Sequence, residues 1–187
     1  MFFDQLPVNV RLYAAPVVEV GGGIGVVSTL VNCRLTDPTR HVVVEANPEL
    51  LPILARQRQL NRASFNVEHA AIDYSGAVTT TLDVSDGFLA GRVGSGGPGI
   101  PVVTTTLERV FERHPWTGVT LICDIEGLEA DLVEHEGEII ERHCRTLVIE
   151  VHPEFRTEKA RARMFEALQR RGFRLVDHLR KVHVLTR

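Results

Sequence analysis

The chain contains no run of apolar residues approaching the about 18 that a helix needs to cross a bilayer. Its first residues also break Phe2-Phe3 with Asp4 and Pro7, where a secretory leader keeps an unbroken apolar core. A cytoplasmic protein is therefore expected. Cysteine is scarce: Cys33, Cys123 and Cys144 are an odd number without close spacing, which argues against a disulfide framework or a zinc knuckle. They read as reduced packing residues. Neither sign of charge dominates, since 21 Lys and Arg stand against 24 Asp and Glu for a net charge of -3. Neither a strongly basic nucleic-acid binder nor a disordered tail fits that balance. Internal repeats and low-complexity segments are missing too. What is present is ordinary globular material, 187 residues at 44% hydrophobic, the length of one domain over residues 1–187.

That material alternates between strand and helix signals. Residues 16–20 form an apolar strand that carries Glu19 and breaks into glycines at 21–25. A short apolar helix over 26–33 and a buried strand over 41–45 follow. Asn47-Pro48 reads as an N-cap with proline at the first helical position, and Leu50, Leu51, Leu54 and Leu60 supply the apolar stripe. Pro52 allows the helix to start four residues later. Residues 64–69 form a third strand, and the threonine-rich stretch 79–82 an additional exposed one. Six glycines and two prolines between Gly87 and Pro101 mark a lid or binding loop. Regularity returns with a strand at 102–105, a helix to residue 114 capped by Thr106, a strand at 119–124, a helix at 128–143 and a strand at 146–151. A helix over 157–171 is stopped by Gly172. Strands at 173–177 and 182–186 are joined by too few residues for a crossover, so they must be antiparallel. The expected fold is α/β: a Rossmann-like, doubly wound, mainly parallel seven-stranded sheet ending in a C-terminal antiparallel β-hairpin.

The glycine register points to the cofactor. A dinucleotide loop wants a third small residue three places after its second glycine. From Gly21 and Gly23 that place is Val26, and from Gly23 and Gly25 it is Ser28. The register that fits is acid-x-G-x-G-x-G, with Glu19, Gly21, Gly23 and Gly25. Such a loop lays bare backbone against the methionine end of S-adenosylmethionine (SAM), which has no pyrophosphate to hold. Glu45, twenty residues after Gly25 at a strand end, is placed to accept both hydrogen bonds of a ribose diol, with Asn47 beside it. His69 and Ala70 end the third strand, where an adenine would slot between apolar walls.

The densest cluster of titratable residues is Asp124-Ile-Glu126-Gly127-Leu-Glu129, followed one strand later by Glu150-Val-His152. Ligands bind beyond the carboxyl ends of strands in open α/β sheets, so Asp124, Glu126, Glu150 and His152 should face the glycine loop's crevice, Asp124 also touching the cofactor. Glu129 reads equally well as a first-turn helix acid. Methyl transfer to a hydroxyl needs donor and acceptor held close and a base for the proton. His152 is the first candidate for that base and Glu126 the second. Asp124, Glu150 and His152 also offer a less favoured reading as a divalent-metal site. Asp131 and His135, and the arginines Arg161, Arg163, Arg170 and Arg171 near the C-terminus, read as solvated helix faces.

With these residues in hand, the chain resembles the FkbM family of SAM-dependent methyltransferases. Glu19-Val-Gly-Gly-Gly-Ile-Gly25 is similar to the family's D-V-G-A-N-I-G, and Glu45-Ala-Asn47-Pro48-Glu49 to its E-P-N-P-E. Asp124-Ile-Glu126-Gly127-Leu-Glu129 matches D-V-E-G-x-E, and Glu150-Val-His152 matches E-x-H. The resemblance implies O-methylation of a hydroxyl on a small molecule, a sugar or glycan unit or a natural product, without nucleic acid or membrane as partner. Glu19, Gly23 and Ile122 stand where the family usually has aspartate, asparagine and often lysine. The segment ahead of the first strand is short, which implies an open site or one completed by a partner subunit in a homo-oligomer. Two other readings compete: a non-catalytic Rossmann-like binding module, and a nicotinamide-dependent oxidoreductase, which the failed register disfavours.

Overall fold

The computed structural model describes residues 14–84, 91–93, 99–155 and 157–187. The N-terminal segment's closing function lies outside the described residues, as does most of the glycine-rich stretch expected to form a lid.

Valine-rich runs build the centre. Strand β1 (Val17–Val20) is buried at all four positions and pairs in parallel with β2 (His41–Glu45) on one side and β8 (Val119–Cys123) on the other. Burial on both faces explains why these strands read as near-continuous apolar runs rather than alternations. With β3 (Asn66–His69), β9 (Cys144–Glu150), β10 (Arg174–Leu179) and β11 (Val182–Thr186), they form a seven-stranded sheet in the order β10-β11-β9-β8-β1-β2-β3. Only β11 runs antiparallel to β9, and β10 antiparallel to β11. The sequence-derived fold class is therefore the observed one.

Alternation along each strand sorts side chains between two helical layers. Val18, Val20, Val42, Val44, Leu121 and Leu147 pack with residues of α3 (Leu107–Arg113), α4 (Glu129–His143) and α5 (Glu158–Arg170), among them Val110, Leu132 and Leu168. On the other face, Val17, Ile122, Val148 and Val184 meet Val31 of α1 (Val26–Asn32), and Val43 meets Leu54 of α2 (Leu51–Leu60). Each fully buried aliphatic side chain contributes roughly 1.5–3 kcal/mol relative to exposure. Ile122 is thus a core residue beneath α1, not a neighbour of the crevice. No helix among the described residues is long and apolar enough to cross a membrane.

Three local expectations are corrected. Helix α2 begins at Leu51, and Asn47 is not its N-cap: Asn47 Oδ1 accepts from Glu49 N, and its carbonyl from Leu50 N, which makes a turn ahead of the helix. Pro52 then occupies the first turn, where its missing N–H costs nothing. Strands β5 (Thr79–Asp83) and β7 (Ile100–Thr105) pair antiparallel, with β4 (Ala71–Ile72) and β6 (Arg92–Val93) at the sides, as a second sheet ordered β4-β7-β5-β6. This sheet buries Ala71, Leu82 and Val102. Cys123 and Cys144 are buried packing residues, whereas Cys33 is exposed; all three are reduced.

Candidate functional site

Four strand ends converge: β1 delivers Gly21, β2 delivers Glu45, β8 delivers Asp124, and β9 delivers Glu150 and His152. The loop after β1 can pass so close to β8 only because Gly21 has no side chain. At its φ of +88°, a Cβ would stand 1.7 Å from the Asp124 carbonyl oxygen. Gly23, also left-handed at φ +53°, has nothing within 4 Å of its Cβ position, so its side faces open space. Its N–H donates to Glu45 Oε2 at 2.7 Å, while Glu45 Oε1 accepts from Asn47 N at 2.6 Å. Burial raises the Glu45 carboxyl's pKa, and the N–H groups of Asn47 and Gly23 oppose the shift. Each carboxylate oxygen keeps a second lone pair, so Glu45 can hold the loop and still accept from a ligand.

Gly21, Gly23, Glu45, Asn47, Asp124 and Glu126 line one crevice. Ala46, Ala70 and Ile125 are among its apolar residues, and the second sheet adds Ile72, Leu82 and Val93. Two expected cofactor residues lie elsewhere. Glu19 is 1% exposed and sits on the opposite side of β1, with His41 Nε2 3.3 Å from its Oε2. His69 is exposed at the end of β3, its Nε2 3.1 Å from the Ala46 carbonyl oxygen.

Behind Asp124 and Glu126, which line the crevice, His152, 5% exposed, meets four carboxylates. Its Nε2 lies 3.5 Å from Glu126 Oε2, 3.7 Å from Asp124 Oδ1 and 3.8 Å from Glu150 Oε1. Its Nδ1 lies 2.8 Å from Oε1 of Glu129, which is itself 2% exposed. From the sequence alone Glu129 fits this cluster and the helix terminus equally well. The missed signal was helical phase: Glu129 shares the buried stripe of Leu132, Val133, Glu136, Gly137 and Ile140. Burial disfavours the imidazolium, but the Glu129 hydrogen bond and charge, then Glu126 and Asp124, outweigh it and push His152 up to about 9. Burial and the Glu150 charge raise Asp124 to about 7 against the pull of His152. Burial likewise raises Glu126, opposed by His152.

Asp124 Oδ1 is buried with no hydrogen-bond donor. An acceptor left open beside a glycine cradle suits a ligand that brings its own N–H groups and positive charge, as SAM does. Ligand atoms of Asp124, Glu126 and His152 lie within 4.8 Å of one another, so Glu126 belongs with the groups that sequence reading considered for a metal.

The methyltransferase FkbM domain model matches residues 19–175. No curated protein matches the sequence significantly. Among solved structures, fibrillarin of Aeropyrum pernix in complex with natively bound SAM is similar over 96% of this chain and 69% of its own, at a TM-score of 0.55 and 14% identity. Ribosomal protein L11 methylase of Lactobacillus delbrueckii subsp. bulgaricus is similar over 94% and 70%, at 0.53 and 8%. The human methyltransferase 10 domain containing protein is similar over 92% and 70%, at 0.54 and 12%. At such identities these likenesses speak for the fold alone.

Proposed function

Since the chain belongs to the FkbM family of SAM-dependent methyltransferases, we propose that it methylates a hydroxyl oxygen of a small molecule, a sugar or glycan unit or a natural product. The observation that carries this reading is His152, a buried imidazole whose Nε2 lies 3.5 Å from Glu126 and 3.7 Å from Asp124, two residues that line the crevice beside the glycine cradle. A neutral amine or a carbanion is nucleophilic as it stands, but a hydroxyl is a weak nucleophile and gains most from a base that takes its proton at the moment of transfer.

Bound SAM supplies a methyl group on a sulfonium, ready for in-line displacement. Gly21 and Gly23 give its amino-acid end bare backbone, Glu45 accepts from the ribose hydroxyls, and Ala70, Ile72, Leu82 and Val93 give the adenine an apolar slot. Glu19 pairs with His41 between β1 and β2 rather than lining the crevice. His152 takes the hydroxyl proton at Nε2, with Glu126 and Asp124 stabilising the imidazolium that forms. A cation in the crevice opposes the carboxylates that hold His152 up at about 9, and so favours the neutral base. Turnover should therefore climb with pH, level off below about 9, and lose that rise in His152→Ala.

The test is incubation with radiolabelled SAM and a library of sugars, glycan fragments and polyketide-type alcohols, followed by mass spectrometry. Ether products are expected. Methylation of amines alone would overturn the oxygen assignment, and tight S-adenosylhomocysteine binding without any product would favour the non-catalytic module. The same protein incubated with a chelator should turn over unchanged; loss restored by magnesium would favour the metal reading of Asp124, Glu126 and His152.

A further inference from the structure

We propose, resting on the reading in which His152 is the base, that Glu129 is its positioning residue: a buried carboxylate that holds the ring by Nδ1 and so decides which nitrogen meets the acceptor. Glu129 opens α4, and one of its oxygens, Oε1, accepts from both His152 Nδ1 at 2.8 Å and Gly127 N at 3.0 Å. A carboxylate only accepts, so Nδ1 is the donor whether the ring is neutral or cationic, and Nε2 is the nitrogen turned towards Asp124, Glu126 and Glu150.

Helix capping does not explain this arrangement. A capping acid bonds N–H groups inside the first turn, whereas Gly127 lies before α4 and His152 comes from the end of another strand. The same oxygen also fixes the turn in which Glu126 takes φ +50° and Gly127 φ +100°. Ring and turn are therefore tied to one anchor, and that anchor is locked from behind because Glu129 lies on the buried stripe with Leu132 and Val133. A group that orients a catalytic imidazole in this way typically matters because the wrong tautomer presents a proton where a lone pair is needed.

The test follows the Nδ1 proton directly. Histidine-labelled protein is compared by proton–nitrogen correlation as wild type, His152→Asn, Glu129→Gln and Glu129→Ala. Wild type is expected to show a strongly downfield ring N–H that His152→Asn removes, which assigns it. Glu129→Gln keeps an acceptor in place without the charge and should move the resonance upfield; Glu129→Ala should lose it to exchange. A resonance unmoved in Glu129→Gln, or absent from folded wild type, overturns the pairing even where Glu129→Ala fails to fold. With an acceptor from the hydroxyl library, Glu129→Ala should lower turnover about 100-fold but cause no further loss in a His152→Ala background. Equal losses in both backgrounds would make Glu129 merely structural. Failure of all hydroxyl acceptors would count against O-methylation while leaving the resonance result standing, so the two failures read separately.

Discussion

Glu45 ties the two loops of the cofactor end together, and its loss should be felt there first. Its carboxylate accepts from Gly23 N and Asn47 N, and charge-assisted bonds of this kind are worth about 1.5–3 kcal/mol each when broken. Glu45→Ala should weaken S-adenosylhomocysteine binding about tenfold or more by calorimetry; unchanged affinity would refute its cofactor role. His152 supplies a pH signature. Its pKa is raised from 6.5 to about 9, so the stability it contributes is complete below about pH 6.5 and is lost as pH climbs through about 9. Asp124 is raised too, from 3.8 to about 7, which puts its own loss at lower pH. The melting temperature should fall between pH 7 and 9 in wild type and fall less in His152→Asn. Most of these residues were legible in the chain, because an acid at a strand end after a glycine loop is a local pattern. Glu19 was not: its place on the opposite side of β1 depends on strand phase, and a buried partner, His41, claims it.

Among the elements, α4 shows how much one helix can organise. Its buried stripe contains two acids, and each reaches a backbone outside the helix: Glu129 reaches the turn at Gly127, and Glu136 the start of α3. Glu136 accepts from Leu107 N at 2.8 Å, Glu108 N at 2.7 Å and the Tyr74 hydroxyl at 2.6 Å. Removing it leaves buried donors unpaired, so Glu136→Ala should cost about 2–4 kcal/mol in urea unfolding. Its ligand affinity should stay intact, because the residue does not line the crevice. At the cradle the opposite holds: Gly21→Ala forces a Cβ into the Asp124 carbonyl. It should abolish S-adenosylhomocysteine binding and lower the melting temperature. Binding retained at wild-type strength would show that β1 and β8 do not approach as closely as this. Both stripe acids could have been found from periodicity, since Glu129, Leu132, Val133, Glu136 and Ile140 follow helical spacing. The α2 start depended on a turn at Asn47 whose sequence also reads as a cap.

At the scale of the whole molecule, we propose that the chain folds as one domain. Calorimetry should then give a single cooperative transition, and two resolved transitions would argue for separate units. What the sequence by itself determined was the parallel sheet, the closing hairpin, the glycine loop after the first strand and the strand ends that carry acids and histidine. Those are written in short-range patterns: alternation, glycine spacing and the residues that terminate each strand. Only the tertiary structure decided that His152 stands among four carboxylates, that Glu129 holds its ring, and that a second sheet walls the crevice. These depend on β8, β9 and α4 meeting at one point and on β4 to β6 reaching the crevice. Contacts between distant segments are set by how faces pack, and no local period records them.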